Sequence, residues 1–252
     1  MFTSFFIGTA GSGKSTLTKA YSEWLVRNEF NAVLVNLDPG VRRLPYTPDV
    51  DIRDYVNLEE VMDKYDLGPN GGLIASIDMM ANFIDDFKEE IEELKPTYVL
   101  VDTPGQLELF AFRSTGPLVT TAIGSEESCL VYLMDPLLSR TPSSFVSVLL
   151  LSASVQYRFN LPQINVLSKA DTLNEEEIDK ITEWISDPQK LINAINQEEA
   201  GLRREISINL GEVLTSMGLF NEILPVSSLT FDGMDNLYAV LERIFTDREG
   251  LI

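Results

Sequence analysis

The chain has 252 residues, 44% of them hydrophobic, enough to bury one large core. Its 39 Asp and Glu against 19 Lys and Arg give a net charge of −20, which argues against general affinity for nucleic-acid backbones or anionic lipid. The absence of histidine excludes His-based catalysis and His-ligated metals, leaving only hard, oxygen-ligated ions, and a single cysteine, Cys129, excludes an intrachain disulfide and suits a reducing cytoplasm.

The first predicted strand, "SFFIG", has no basic flank and runs straight into a functional loop, which speaks against a signal peptide. That loop, Gly8–Ser15, is "GTAGSGKS" and matches G-x-x-x-x-G-K-[ST] in full, ahead of a helix predicted over Ser15–Glu29. Glycines there let backbone N–H groups turn inward around phosphate oxygens, and the helix N-terminus adds a favourable dipole. Gly11, Ser12, Gly13, Lys14, Ser15 and Thr16 are the candidate nucleotide contacts. Lys14 is expected to reach the β- and γ-phosphates, and the Ser15 hydroxyl to ligate Mg²⁺.

A second strand, "AVLVNLD", ends at Asp38. Farther on, an acidic amphipathic segment leads to "DLGPNGGL", Asp66–Leu73, whose Gly and Pro content marks a turn with one amide, Asn70, in its middle. A helix is predicted over Leu73–Leu94, and the strand "TYVLVD" then ends at Asp102. The carboxylate of Asp102 is placed to hold Mg²⁺, the Gly105 N–H to face a γ-phosphate, and Gln106 to orient a water.

The buried strand "CLVYLMD" carries Cys129, and a helix is predicted over Pro142–Tyr157. Next, "QINVLSK" opens Ser168-Lys169-Ala170-Asp171, similar to the N-K-x-D motif that reads guanine. Asp171 would accept from the guanine N1–H and amine, and the Lys169 stem would pack on the ring; adenine would leave that carboxylate unpaired. Ser168 departs from the usual Asn. Order and spacing favour guanine, with ATP as the alternative.

Two charged amphipathic helices are predicted over Glu175–Ile185 and Pro188–Met217, long for a simple crossover. They are either helical hairpins on the core or a nucleotide-controlled surface for a protein partner, with "SMGLF" as a candidate groove lining. The last strand, "EILPVSS", ends in Pro225–Ser228, a small-residue loop that backs the base, with Ser227 as its contact. A helix over Met234–Phe245 closes the series, and no stretch reaches the roughly 18 uncharged apolar residues of a membrane span.

Short apolar runs alternating with amphipathic segments predict an α/β fold: a doubly wound, mostly parallel sheet with helices on both faces, of P-loop NTPase type. Residues 1–252 form one expected domain, with a helical insertion over 172–221. Ligands then bind at the carboxyl ends of the strands.

The chain resembles the GPN-loop GTPases, in their archaeal-type homodimeric form. That family combines a phosphate loop, here Gly8–Ser15, with a D-T-P-G-Q switch, here Asp102–Gln106, and a Gly-Pro-Asn insertion between them, here Gly68–Asn70. The likeness extends to "NLDPG", Asn36–Gly40, and to Ser168–Asp171, and covers essentially the whole chain. It implies Mg²⁺-dependent hydrolysis of GTP to GDP and phosphate by a homodimer. Each subunit's Gly68-Pro69-Asn70 loop, with its flanking helices over 58–95, would enter the partner's site.

Under that resemblance Asp38, Asn70, Gln106 and Lys14 are the catalytic candidates. Asp38 would hold or deprotonate the attacking water and is a further candidate Mg²⁺ ligand; its simpler reading is the start of an Asp-Pro-Gly turn. Dimer-forming ATPases with a variant phosphate loop carry an extra lysine where Gly8 stands here. Arg42, Arg43 and Arg113 are candidates for a replacement cation, with a surface or structural role as the simpler reading. Eukaryotic members are linked to RNA polymerase assembly, which implies an unidentified protein client. The competing functions are a P-loop phosphotransferase, for which "LRRE" at Leu202–Glu205 is the only arginine cluster in the second half, and a non-catalytic nucleotide-binding scaffold.

Overall fold

A computed structural model describes residues 1–125, 127–216 and 222–247. Its strands are β1 (Phe2–Gly8), β2 (Ala32–Asn36), β3 (Val50–Asp51), β4 (Tyr98–Asp102), β5 (Ser128–Met134), β6 (Gln163–Leu167) and β7 (Ile223–Pro225). They form one parallel sheet in the order β3-β2-β4-β1-β5-β6-β7. The helices are α1 (Lys14–Arg27), α2 (Leu58–Tyr65), α3 (Pro69–Met79), α4 (Ile84–Glu93), α5 (Leu107–Ala111) and α6 (Thr115–Ile123), then α7 (Pro136–Ser139), α8 (Pro142–Phe159), α9 (Glu175–Ser186), α10 (Pro188–Glu198), α11 (Gly201–Ser216) and α12 (Met234–Asp247).

The near-continuous apolar strands follow from burial on both sides. Along β1, Phe5 and Ile7 enter one core and Phe6 the other, because successive side chains point to opposite faces. The smaller core packs Leu17, Tyr21 and Leu25 of α1 and Leu237, Leu241 and Phe245 of α12. The larger one gathers side chains from α3–α6 and α8–α11, including Phe87, Phe110, Phe145 and Trp184. The doubly wound expectation holds. No helix among the described residues is long and apolar enough to cross a membrane.

Several elements differ from expectation. The two-residue β3 is too short to leave a pattern, and α5 and α6 were not anticipated. The helix expected from Leu73 starts four residues earlier, with Gly68 at its N-cap and Pro69 at the first helical position. Pro suits that position, since its missing N–H is unpaired there anyway. The Gly-Pro-Asn segment is thus the first turn of α3, closed by the Gly72 N–H donating to the Gly68 carbonyl at 2.8 Å. The same run tightens into a 3₁₀ turn at Met80–Phe83 before α4, yet Ile77, Met80, Ile84, Phe87 and Ile91 keep one buried stripe throughout. The helix expected over Pro188–Met217 breaks between α10 and α11, where Glu199 is extended and Gly201 takes φ +63°. Of "SMGLF", Met217, Gly218, Leu219 and Phe220 lie outside the described residues.

Candidate active site

Strand register assembles the site at the carboxyl ends. Phe6 of β1 lies level with Asp102 of β4, Asp102 with Asn36 of β2, and Asn36 with Asp51 of β3. The phosphate loop leaves β1 beside them. Gly11 and Gly13 take φ +78° and +95°, which other residues adopt only with strain, and a Cβ on Gly8 would come within 2.8 Å of both the Leu133 carbonyl and Ser12 Oγ. Helix α1 begins at Lys14 directly behind the loop, so its free N–H groups point at any bound anion. Ser12 is buried and Thr16 exposed.

Lys14 is buried, and its ammonium donates to the Gly8 and Thr9 carbonyls at 3.0 Å each and to the Gly105 carbonyl at 3.4 Å. Burial lowers its pKa, against the opposing pull of Asp102 and Asp38. Asp102 is 1% exposed, and burial pushes its carboxyl up to about 6 although Ser15, Tyr46 and Lys14 draw it down. The Tyr46 hydroxyl donates to Asp102 Oδ2 at 2.9 Å, while Oδ1 is buried with no hydrogen-bond partner. Burial and the neighbouring Asp102 push the Tyr46 phenol upward, so it remains a donor. An orphaned carboxylate oxygen beside the Ser15 hydroxyl fits Mg²⁺, a hard ion that keeps water and phosphate as its other ligands. No group of three or more Cys, Asp or Glu suited to a metal occurs among the described residues.

Asp38 is half-buried and accepts two backbone N–H groups, from Gly40 and from the switch residue Gly105, both at 2.9 Å. Its turn is held by the buried Asn36, which accepts from the Asp38 N–H at 3.0 Å and donates to Asp51 Oδ1 at 2.8 Å. Asp51 in turn holds Arg53 through both carboxylate oxygens, and Arg53 reaches the Val41 carbonyl at 3.1 Å. Burial pushes the Asp51 carboxyl up, but the bonds from Arg53 and Asn36 outweigh it and leave the group below its ordinary range.

On the other side of the loop, Gly13, Thr16, Lys169, Asp171, Ser228 and Leu229 line a cleft of ≈ 240 Å³. The Lys169 stem crosses Gly13, where an added Cβ would sit 3.6 Å from its Cε, and its ammonium is held by the Gly11 carbonyl at 2.6 Å and Asp135 at 2.9 Å. Ser168 lines the same cleft, but its hydroxyl is taken by the Ser12 carbonyl at 2.7 Å and the Met134 carbonyl at 3.0 Å. It ties the strand end to the phosphate loop, a task the shorter side chain performs where Asn was expected. Ser227 is buried and acts on Asp171, donating to its Oδ1 at 2.7 Å.

Gln106 and Asn70 are exposed, and neither side chain makes a hydrogen bond among the described residues. Asn70 sits at the second position of α3, whose Leu73 packs against the Asp38 turn: a Cβ on Gly40 would meet Leu73 Cδ1 at 2.8 Å. Arg113 is committed to Asp78 of α3, so it does not stand free as an extra cation at the phosphates. Arg42 and Arg43 are exposed.

The profile of a family described as "conserved hypothetical ATP binding protein" matches residues 6–247. A GPN-loop GTPase of Pyrococcus abyssi is 32% identical over 240 residues, 92% of each chain. GPN-loop GTPase 1 of Dictyostelium discoideum is 33% identical over 238 residues, 92% of this chain but 58% of that one. The chain therefore spans little more than half of that longer relative. A crystal structure of a Pyrococcus abyssi GTPase in its apo form superposes with a TM-score of 0.86 at 29% identity, over 97% of this chain and 98% of the other.

The chain belongs to the GPN-loop GTPase family.

Three groups at this GPN-loop site escaped the sequence: Tyr46, the Asn36–Asp51–Arg53 series and Asp135. The first two lie in "NLDPGVRRLPYTPDVDIRD", whose density of Asp, Asn, Arg and Tyr between two strands is the one available signal. Their partners are set by strand register, which a linear motif does not display.

Proposed function

We propose that this GPN-loop family member hydrolyses GTP to GDP and phosphate with Mg²⁺, as a homodimer. The observation that carries the reading is the convergence of Lys14, Asp38, Asp102 and the Gly105 N–H on one mouth of the phosphate loop, with Asp171 across Gly13 in the base cleft. Phosphoryl transfer needs positioning and charge more than covalent chemistry, and these groups supply both. Ser15 and Asp102 would hold Mg²⁺, which would supply neutralising charge at the phosphate oxygens.

Within the chain, Asp38 best suits the water. Its carboxylate is pinned by two N–H donors and needs to release only Gly105 to accept a proton or orient a lone pair, whereas Gln106 and Asn70 are exposed. Lys14 leaves its carbonyl partners for the β- and γ-phosphates. Asp171, oriented by Ser227, selects guanine through its paired donors.

The exposed Gly68-Pro69-Asn70 turn reaches the partner subunit's site and adds the Asn70 amide to the phosphate or the water. A protein client, with RNA polymerase assembly as the family-based instance, completes the proposal, supported by exposed Leu202, Ile206 and Val213 on α11. A cytoplasmic setting suits the lone, buried Cys129.

The test is phosphate release from GTP, with ATP alongside, for the native protein and for Asn70→Ala. Selective GTP hydrolysis that falls at least about 10-fold in the variant, with nucleotide still bound, is expected. Preference for ATP sinks the guanine role of Asp171, and equal rates remove Asn70 from catalysis.

A further inference from the structure

Tyr46 comes from the segment between β2 and β3, yet its hydroxyl lies on the carboxylate that ends β4. The contact divides Asp102 into two unlike oxygens. Oδ2 accepts the phenol at 2.9 Å, and Oδ1 is buried with no partner. A carboxylate with one oxygen fixed cannot rotate about its last bond without breaking that hydrogen bond, so the free oxygen keeps one direction. Ser15 also acts on this carboxylate, and Tyr46 is the hydrogen-bonding side chain that reaches it from outside the phosphate loop.

We propose that Tyr46 is the positioning residue of the metal centre: its hydroxyl holds Asp102 so that Oδ1 is presented to Mg²⁺, and thereby sets how tightly the nucleotide complex retains the ion. The inference rests on the magnesium-dependent reading above and assigns a residue to it. A consequence is that the 37–49 segment, which also carries Asp38, is linked to the metal ligand through a bond outside the phosphate loop. Metal occupancy and the position of Asp38 are then coupled through one side chain.

The experiment measures release of a fluorescent GDP analogue across Mg²⁺ concentrations and in excess EDTA. The proteins are the native chain, Tyr46→Phe, Asp102→Asn and the double variant. Mg²⁺ is expected to slow release from the native protein. Tyr46→Phe should raise the half-effective Mg²⁺ concentration about 10-fold or more, as loss of an outer-shell partner does. Its release rate in EDTA should match the native rate, which a merely structural role would disturb. In the Asp102→Asn background, Tyr46→Phe should change nothing further.

An unaltered Mg²⁺ dependence in Tyr46→Phe overturns the proposal while leaving the magnesium reading in place. An equal shift in the Asp102→Asn background, or a change confined to EDTA, also overturns it, because the hydroxyl then acts elsewhere. Release from the native protein that ignores Mg²⁺ removes the magnesium reading itself, and the role of Tyr46 with it.

Discussion

Asn36 uses both ends of its amide to fasten one turn: the oxygen takes the Asp38 N–H, and the nitrogen gives to Asp51. Replacing Asp51 by Asn would leave Arg53, itself 33% exposed, without its charged partner. Solvent screens such a partly exposed pair, so the cost is about 1 kcal/mol, and Asp51→Asn should lower the urea midpoint modestly at neutral pH. Because the folded-state pKa of Asp51 is depressed, its contribution exists above the ordinary carboxylate value and is lost as pH falls through the folded one. The gap between native and variant should therefore close below about pH 4. A gap that persists in acid would mean that packing, not charge, is what the variant loses.

Helices α2 and α3 meet at Gly72, where an added Cβ would stand 2.3 Å from Met62 Cγ and 3.2 Å from Leu58 Cδ1. A Cβ on neighbouring Gly71 would have atoms of Leu67 nearest to it, at 3.5 Å or more. The two glycines should respond with opposite signs. Gly72→Ala should destabilise by about 1–3 kcal/mol through overpacking, whereas Gly71→Ala should stabilise by about 0.5–1 kcal/mol through helix propensity. Thermal unfolding of both variants checks this, and destabilisation of equal size at both positions would contradict it.

The same helix shows what could be read in advance. Gly68-Pro69-Asn70-Gly71-Gly72 carries every mark of a turn, and only packing against Met62 shows that its last glycine serves a helix–helix contact. Strands such as "TYVLVD" were legible because burial on both faces writes an unbroken apolar run, and the phosphate loop because its chemistry is local. Tyr46 was not. Its partner is 56 residues away, and nothing near it in the chain calls for a donor.

At the scale of the proposed homodimer, trans action of Asn70 would have an arithmetic signature. Chains carrying Asn70→Ala lack the arm but keep the cradle, and chains carrying Lys14→Ala keep the arm but lose the cradle. Co-expressed at equal levels, they should recover about a quarter of the native hydrolysis rate, since half the dimers are mixed and each holds one intact site. Action within one chain predicts no recovery. Each copy carries a net charge of −20, so in the proposed homodimer the subunits would repel at long range, and added salt should tighten their association.

The phosphate loop also bears on product release. Its lysine rests on Gly8, Thr9 and Gly105, and the Gly105 N–H rests on Asp38, so the groups that would greet a nucleotide already have partners. Binding is then an exchange of contacts, and its net free energy is smaller than a census of phosphate contacts suggests. On the proposed reading, GTP would offer a third phosphate to compete with Asp38 for Gly105, whereas GDP would not. Once that phosphate has left, the carboxylate would reclaim its N–H, and the restored bond would oppose a phosphate entering again.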